Sequence, residues 1–197
     1  MINTTLNRNR DHAPCTEGWT KLLRSLGKTQ ADDEPLPFSI ILESNGLDDA
    51  LWCCRAEPQH AKQWRLYAVW CARQVQHLMA DPRSLSALDV AERHANGQAS
   101  DADLAAARAA AGDAAGDATG DATWDAAWAT ARAAAGDAAW AAARAAAGDA
   151  AWAAAGDAAW AAAGDAAGDA AWDAAWAAAG AAQTREFLRV VTDTKAR

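Results

Sequence analysis

A four-residue period runs through this chain from Leu104 to about residue 182. With few exceptions, each unit holds two alanines, one variable residue and then Ala or Asp. From position 108 to position 180 the variable residue is Trp, Gly or Arg, and it always falls on a position number divisible by four. Such regularity identifies a tandem repeat array. Because alanine fills half or more of the array and β-branched runs are missing, helix is the expected local structure.

The period does not fit one straight helix. Four residues turn an α-helix by about 400°, so the variable column drifts by about 40° per unit and circles the helix in about nine units. Each interior Gly costs about 1 kcal/mol relative to Ala, and a Gly-Asp pair can end one helix and cap the next. We therefore predict an Ala-rich helical array over 101–192, with helices at about 101–111, 122–162 (continuous, or broken near Gly136 or Gly148) and 166–192 folded back on one another as packed helices.

The preceding residues have the pattern of a conventional helical domain. Residues 1–15 are polar and predict a disordered tail, and residues 193–197 predict a second short tail. Between them, residues 16–100 show helical spacing of apolar residues with Gly and Pro at the breaks. Ser100 followed by Asp103 resembles a capping box that begins the array. The predicted fold class is all-α, with helices from Thr16 to Leu26 and over about 38–45, 47–55, 60–79 and 84–95.

Charge divides the chain and restricts its partners. The formal net charge is −8, and residues 101–182 hold 3 Arg against 12 Asp. Direct binding to nucleic acid is therefore not expected, because it needs clustered Lys and Arg. We expect a protein partner with a basic surface instead. No apolar signal core and no membrane-spanning run occurs, so a cytoplasmic protein with no membrane contact is predicted.

Few residues suggest catalysis or metal binding. The four cysteines lack the spacing of a disulfide framework, so reduced thiols are predicted. Cys53, Cys54 and Cys71 with His60 and His77 show no metal-ligand spacing such as CxxC. The adjacent Asp48 and Asp49 fit a helix N-terminus more simply than an acid/base pair. The array glycines lack the Lys-Ser/Thr of a phosphate loop and the spaced acids of a calcium loop. The prediction is a non-enzymatic protein with no cofactor and no metal.

Several segments resemble a known family. They are Asn45-Gly46-Leu47-Asp48-Asp49-Ala50-Leu51-Trp52, then residues 65–78 and 87–97, followed by alanine repeats that carry Trp and Arg. Together they resemble the all-α immunity proteins of bacterial polymorphic-toxin systems, which also occur in prophages and phages. The resemblance covers about residues 16–192 and implies neutralisation of a toxin by direct binding, with no catalytic residues. The array here is richer in Gly-Asp than that of many relatives.

Our first hypothesis is an immunity or phage anti-defence factor that neutralises an effector or toxin through the acidic, Trp-bearing array. Large aromatic residues are frequent binding hot spots, and neighbouring acids can steer a basic partner. One alternative is an acidic nucleic-acid mimic that inhibits a nuclease; another is a structural module that forms homo-oligomers through Ala and Gly faces. The predicted binding residues are Trp124, Trp128, Trp140, Trp152, Trp160, Trp172 and Trp176, with Asp125, Asp137, Asp149, Asp157 and Asp173.

Overall fold

The computed structural model describes residues 1–117, 127–128 and 168–193. Helices dominate these ranges, so the predicted all-α fold class is confirmed. The helices are α1 (Leu6–Arg10), α2 (Thr16–Ser25), α3 (Phe38–Asn45), α4 (Leu47–Cys53), α5 (Ala61–Arg73), α6 (Pro82–Ala95), α7 (Asp101–Asp117) and α8 (Gly168–Thr192). Short 3-10 turns occupy Cys54–Ala56, Pro58–His60 and Gln76–Leu78, and two short strands are β1 (Asn3–Thr4) and β2 (Leu36–Pro37).

The predicted disordered tail is wrong for residues 2–10. Strand β1 pairs antiparallel with β2, with Thr4 opposite Leu36. The side chains of Ile2 and Leu6 are buried in the core. The backbone N–H of Ile2 donates to the carbonyl of Val191 at 2.6 Å. The N-terminal segment is therefore held between β2 and the end of α8 by contacts that are distant in sequence.

Most of the helices predicted in the first hundred residues are present. Gly27 adopts a φ of 64° just after α2, as a helix C-terminus requires. The capping box before α7 also forms, because Ser100 and Asp103 bond each other's backbone N–H groups at 2.9 and 3.1 Å. The helix predicted over 60–79 is shorter than expected. It ends at Arg73, and the following turn lets both Val75 and Met79 reach the core.

Helix α7 continues through Gly112 and Gly116, whereas a helix ending at residue 111 was predicted. Its residues Ala111, Ala114 and Ala115 are buried, and α7 packs along α6. Burial of this alanine face offsets the cost of about 1 kcal/mol that each interior glycine carries. Together with the buried Leu104, these small residues hold the array helix against the rest of the fold.

One aromatic cluster joins the last helix to the first hundred residues. Phe187 of α8 is fully buried, and its ring centroid lies 5.5 Å from that of Tyr67 and 6.2 Å from those of Phe38 and Trp64. The Tyr67 hydroxyl donates to the Gln183 carbonyl at 3.4 Å. The hydrophobic core therefore crosses residue 100 and includes residues of α3, α5 and α8. The predicted helix over 122–162 lies outside the described residues apart from Ala127 and Trp128.

Candidate functional site

Three of the predicted binding side chains lie in the described residues. Asp173 is exposed on α8, and Trp176, one turn further along, is 39% exposed. Trp128 is half-buried and packs against the core. The backbone of Trp172 belongs to α8, but its side chain lies outside the description. The remaining predicted residues lie outside the described residues, namely Trp124, Trp140, Trp152, Trp160, Asp125, Asp137, Asp149 and Asp157.

Helix α8 has two differently exposed parts. Gln183, Phe187, Val190 and Val191 are buried and attach its C-terminal third to the core. The residues from 173 to 182 are exposed or half-buried. Because the anchored part is continuous with the exposed part, the orientation of the exposed part is set by the packing around Phe187. The arrangement can present an indole ring and a carboxylate to a partner on a rigid element.

Helix α7 also carries exposed aspartates. Asp101, Asp103, Asp113 and Asp117 are all exposed. Asp117 accepts a hydrogen bond from the Arg83 guanidinium at 2.7 Å, which links the end of α7 to the start of α6. The other three make no ion pair with an Arg or Lys in the parts of the chain that the structure describes. This face of α7 can attract a basic surface over a range of about 10 Å at moderate salt.

The cysteines are free thiols, and three of the four are buried. Burial raises the pKa of Cys53 to about 12, and a further contribution comes from the nearby Asp49 carboxylate. Burial also raises the pKa of Cys71 to about 12 and that of Cys54 well above its usual range. A thiol of this kind is a poor nucleophile, because the thiolate is the reactive form. Within residues 1–117, 127–128 and 168–193, no three His, Cys, Asp or Glu side chains come together as metal ligands.

A thiol-labelling experiment tests whether the buried cysteines are unreactive. At pH 8 a pKa of about 12 leaves about one thiol in ten thousand ionised, so Cys53 and Cys71 are expected to resist iodoacetamide in the folded protein. The exposed Cys15 is expected to react quickly. Mass spectrometry should find one fast adduct per folded chain, four after denaturation, and none that is fast in Cys15→Ser. A second fast adduct in the folded protein would contradict the burial of these thiols.

Sequence reasoning missed an open cavity of about 280 Å³ between α1, α2, α3 and α4. Its lining includes polar side chains from three helices and two indole rings, namely Asn9, Asn45, Asp48, Asp49, Trp19 and Trp52. Asp48 and Asp49 were singled out in the sequence, but only as acids at the start of a helix. Asn9 was assigned to a disordered tail. No local pattern could have joined them, because the cavity depends on how residues 1–10 pack.

Comparisons with protein-family models, with curated proteins and with solved structures found no match to this chain. The resemblance to immunity proteins therefore remains a proposal that depends on the sequence segments quoted above. None of the helices in the described ranges combines the length and the apolar character needed to cross a lipid bilayer.

Proposed function

We propose that this protein is a non-enzymatic immunity or phage anti-defence factor that neutralises a toxin or defence effector by binding it directly. The observation that carries the proposal is the division of α8. Its C-terminal third is buried around Phe187, and its preceding part exposes Asp173 and Trp176. A surface helix that is firmly anchored loses little conformational freedom when a partner binds.

The chemistry of the exposed part suits a basic protein partner. A partly exposed indole offers a large apolar area that is rigid, and tryptophan is among the residues most enriched in binding hot spots. Asp173 lies three residues before Trp176, so both occupy neighbouring positions on the same helix face. Helix α7 carries further exposed aspartates. We propose that these charges accelerate association with a basic effector and that the indole rings supply affinity.

The proposal also includes the setting in which binding occurs. Four free cysteines, three of them buried without disulfides, are typical of a reducing compartment. We therefore propose that the effector is bound in the cytoplasm. The proposed activity requires no cofactor and no metal, because occlusion of an effector's own site is sufficient for neutralisation.

The test combines partner capture with matched variants. The full-length protein is used as bait in lysate of the producing cell, the captured effector is purified, and its affinity is measured for the wild type, Trp176→Ala and Leu85→Ala. Leu85 is 40% exposed on α6, against 39% for Trp176. Removing a hot-spot tryptophan is expected to weaken binding by about tenfold or more, whereas Leu85→Ala should bind as the wild type does. Cell protection against the effector should follow the same order.

Three results would overturn the proposal. Equal affinities for Trp176→Ala and the wild type, with full protection by a variant lacking every array tryptophan, would remove the array from the interface. Light scattering that shows only self-association, with no effector captured, would instead identify an assembly module. A captured nuclease whose binding is lost steeply with salt, and is insensitive to Trp176→Ala, would identify a nucleic-acid mimic.

A further inference from the structure

The cavity between α1, α2, α3 and α4 has the composition of a binding site for a positively charged group. Its lining contains the two carboxylates Asp48 and Asp49 and no lysine or arginine. Its volume of about 280 Å³ is close to the lower end for small-molecule pockets, about 300 Å³. A ligand of roughly the size of one amino-acid side chain with its backbone would fit. This site lies on the N-terminal helices and is independent of the proposed role of the array.

Asn9 is the strongest indication that the cavity takes a ligand. Its side chain is 1% exposed, and neither Nδ2 nor Oδ1 has a hydrogen-bond partner in the described part of the chain. A buried amide without partners destabilises the fold. Asn9 lines the cavity, but Nδ2 and Oδ1 are themselves shielded, so the amide must turn toward a ligand before Oδ1 can accept from it and Nδ2 can donate to it.

The acidic wall of the cavity is held in place by specific contacts. Asn45 Nδ2 donates to Asp49 Oδ2 and to the Gly18 carbonyl, both at 2.8 Å. The Ser44 hydroxyl donates to Asn45 Oδ1 at 2.9 Å, so the amide of Asn45 is fully oriented. A Cβ at position 18 would lie 2.7 Å from Asp49 Oδ2, so only glycine allows this carboxylate to approach α2 so closely. Asp48 is exposed at the same wall and makes no hydrogen bond within the described ranges.

The indole rings select among cations. Trp19 and Trp52 both line the cavity and are half-buried. An arginine guanidinium is planar, stacks on aromatic faces and is weakly hydrated, whereas a lysine ammonium is strongly hydrated. Its N–H groups also match the fork of a carboxylate. We propose that this cavity binds a guanidinium group, with Asp48 and Asp49 as charge partners, Asn9 Oδ1 as an acceptor for its N–H groups and the two indoles as walls.

Two basic residues of the chain lie nearby without lining the cavity. The Arg55 guanidinium lies 4.1 Å from the centroid of the Trp52 ring, which shows that this indole already binds one guanidinium on its surface. Lys21 Nζ donates to the Asn45 carbonyl at 3.4 Å. Asp49 accepts a hydrogen bond from Asn45 through Oδ2, which leaves Oδ1 to accept one from a ligand.

The experiment is calorimetric titration of the full-length protein with N-acetyl-arginine amide. The uncharged citrulline analogue of the same shape is the ligand control, and methylguanidinium is the third probe. The variants are Asn9→Leu and Asp48→Asn, and Asp33→Asn is the control for loss of one negative charge, because Asp33 is exposed and does not line the cavity. We expect saturable binding of the arginine amide, about tenfold weaker or undetectable binding in the first two variants, and no change in Asp33→Asn.

The Asn9→Leu variant also tests whether the Asn9 amide serves a ligand or stabilises the fold. If the amide serves only a ligand, its replacement by leucine should leave the midpoint of thermal unfolding unchanged or higher, while arginine binding is lost. Should Asn9→Leu fail to fold, the exposed Asp48→Asn variant carries the test.

Stronger binding of the arginine amide than of methylguanidinium would place the ligand on a polypeptide, and equal binding would place it on a small molecule. No heat with either probe, or equal binding of the citrulline analogue, would overturn the proposal and leave ordered water as the partner of Asn9.

Discussion

Replacing Phe187 with alanine is expected to lower the free energy of unfolding by about 3 to 5 kcal/mol. The phenyl ring is fully buried and touches rings from two other helices. Its removal leaves a cavity in the centre of a cluster whose rings are rigid and cannot collapse to fill it. Because this cluster is where α8 meets α3 and α5, the same substitution should also loosen the exposed part of α8 that carries Trp176.

The adjacent residue supplies a matched control. Leu188 is one position further along α8 and is 40% exposed, so Leu188→Ala should cost less than about 1 kcal/mol. Urea unfolding followed by circular dichroism would measure both variants. Similar losses in the two would contradict the assignment of Phe187 as the anchor of α8. Hydrogen exchange over residues 173–182 should be faster in Phe187→Ala than in Leu188→Ala.

The helical elements could be predicted because their causes are local. Apolar spacing, Gly27 and the Ser100 capping box each act within a few residues, and each appears in the structure as expected. The end of α7 could not be predicted in the same way. Gly112 has a local cost that favours a break, but burial of Ala111, Ala114 and Ala115 outweighs it, and that burial depends on tertiary packing.

The candidate sites show the same limit. Trp176 and Asp173 could be identified from the period alone, and the structure places both on the surface. The cavity near Asp48 and Asp49 could not, because its third polar component, Asn9, lies about forty residues earlier in a segment without any apolar run. Ile2 and Leu6 are too few to indicate a buried segment. Their burial results from pairing of β1 with β2, which no local pattern specifies.

The contact between Arg8 of the N-terminal segment and Glu57 is expected to contribute substantially to the free energy of unfolding. Glu57 is fully buried and accepts hydrogen bonds from Arg8 Nη1 at 2.7 and 3.0 Å, and a further one from Gln59. Replacing Arg8 with methionine keeps an unbranched, shorter side chain but removes the charge that faces this carboxylate. An uncompensated buried charge costs about 3 to 5 kcal/mol. Because the Arg8 side chain is 54% exposed and Gln59 remains as a donor, we expect a loss of about 2 kcal/mol.

Arg10→Met is the control, since Arg10 lies on the same helix and pairs only at 3.6 Å with Asp11 at the surface. That variant should change the free energy of unfolding by less than about 0.5 kcal/mol. Both variants lose one positive charge from α1. The difference between their free energies of unfolding therefore measures what the contact of Arg8 with Glu57 contributes. If the two variants unfold at the same urea concentration, α1 is not held by Glu57. In that case the cavity that Asn9 lines would lack a fixed wall, and its arginine binding should be weak even in the wild type.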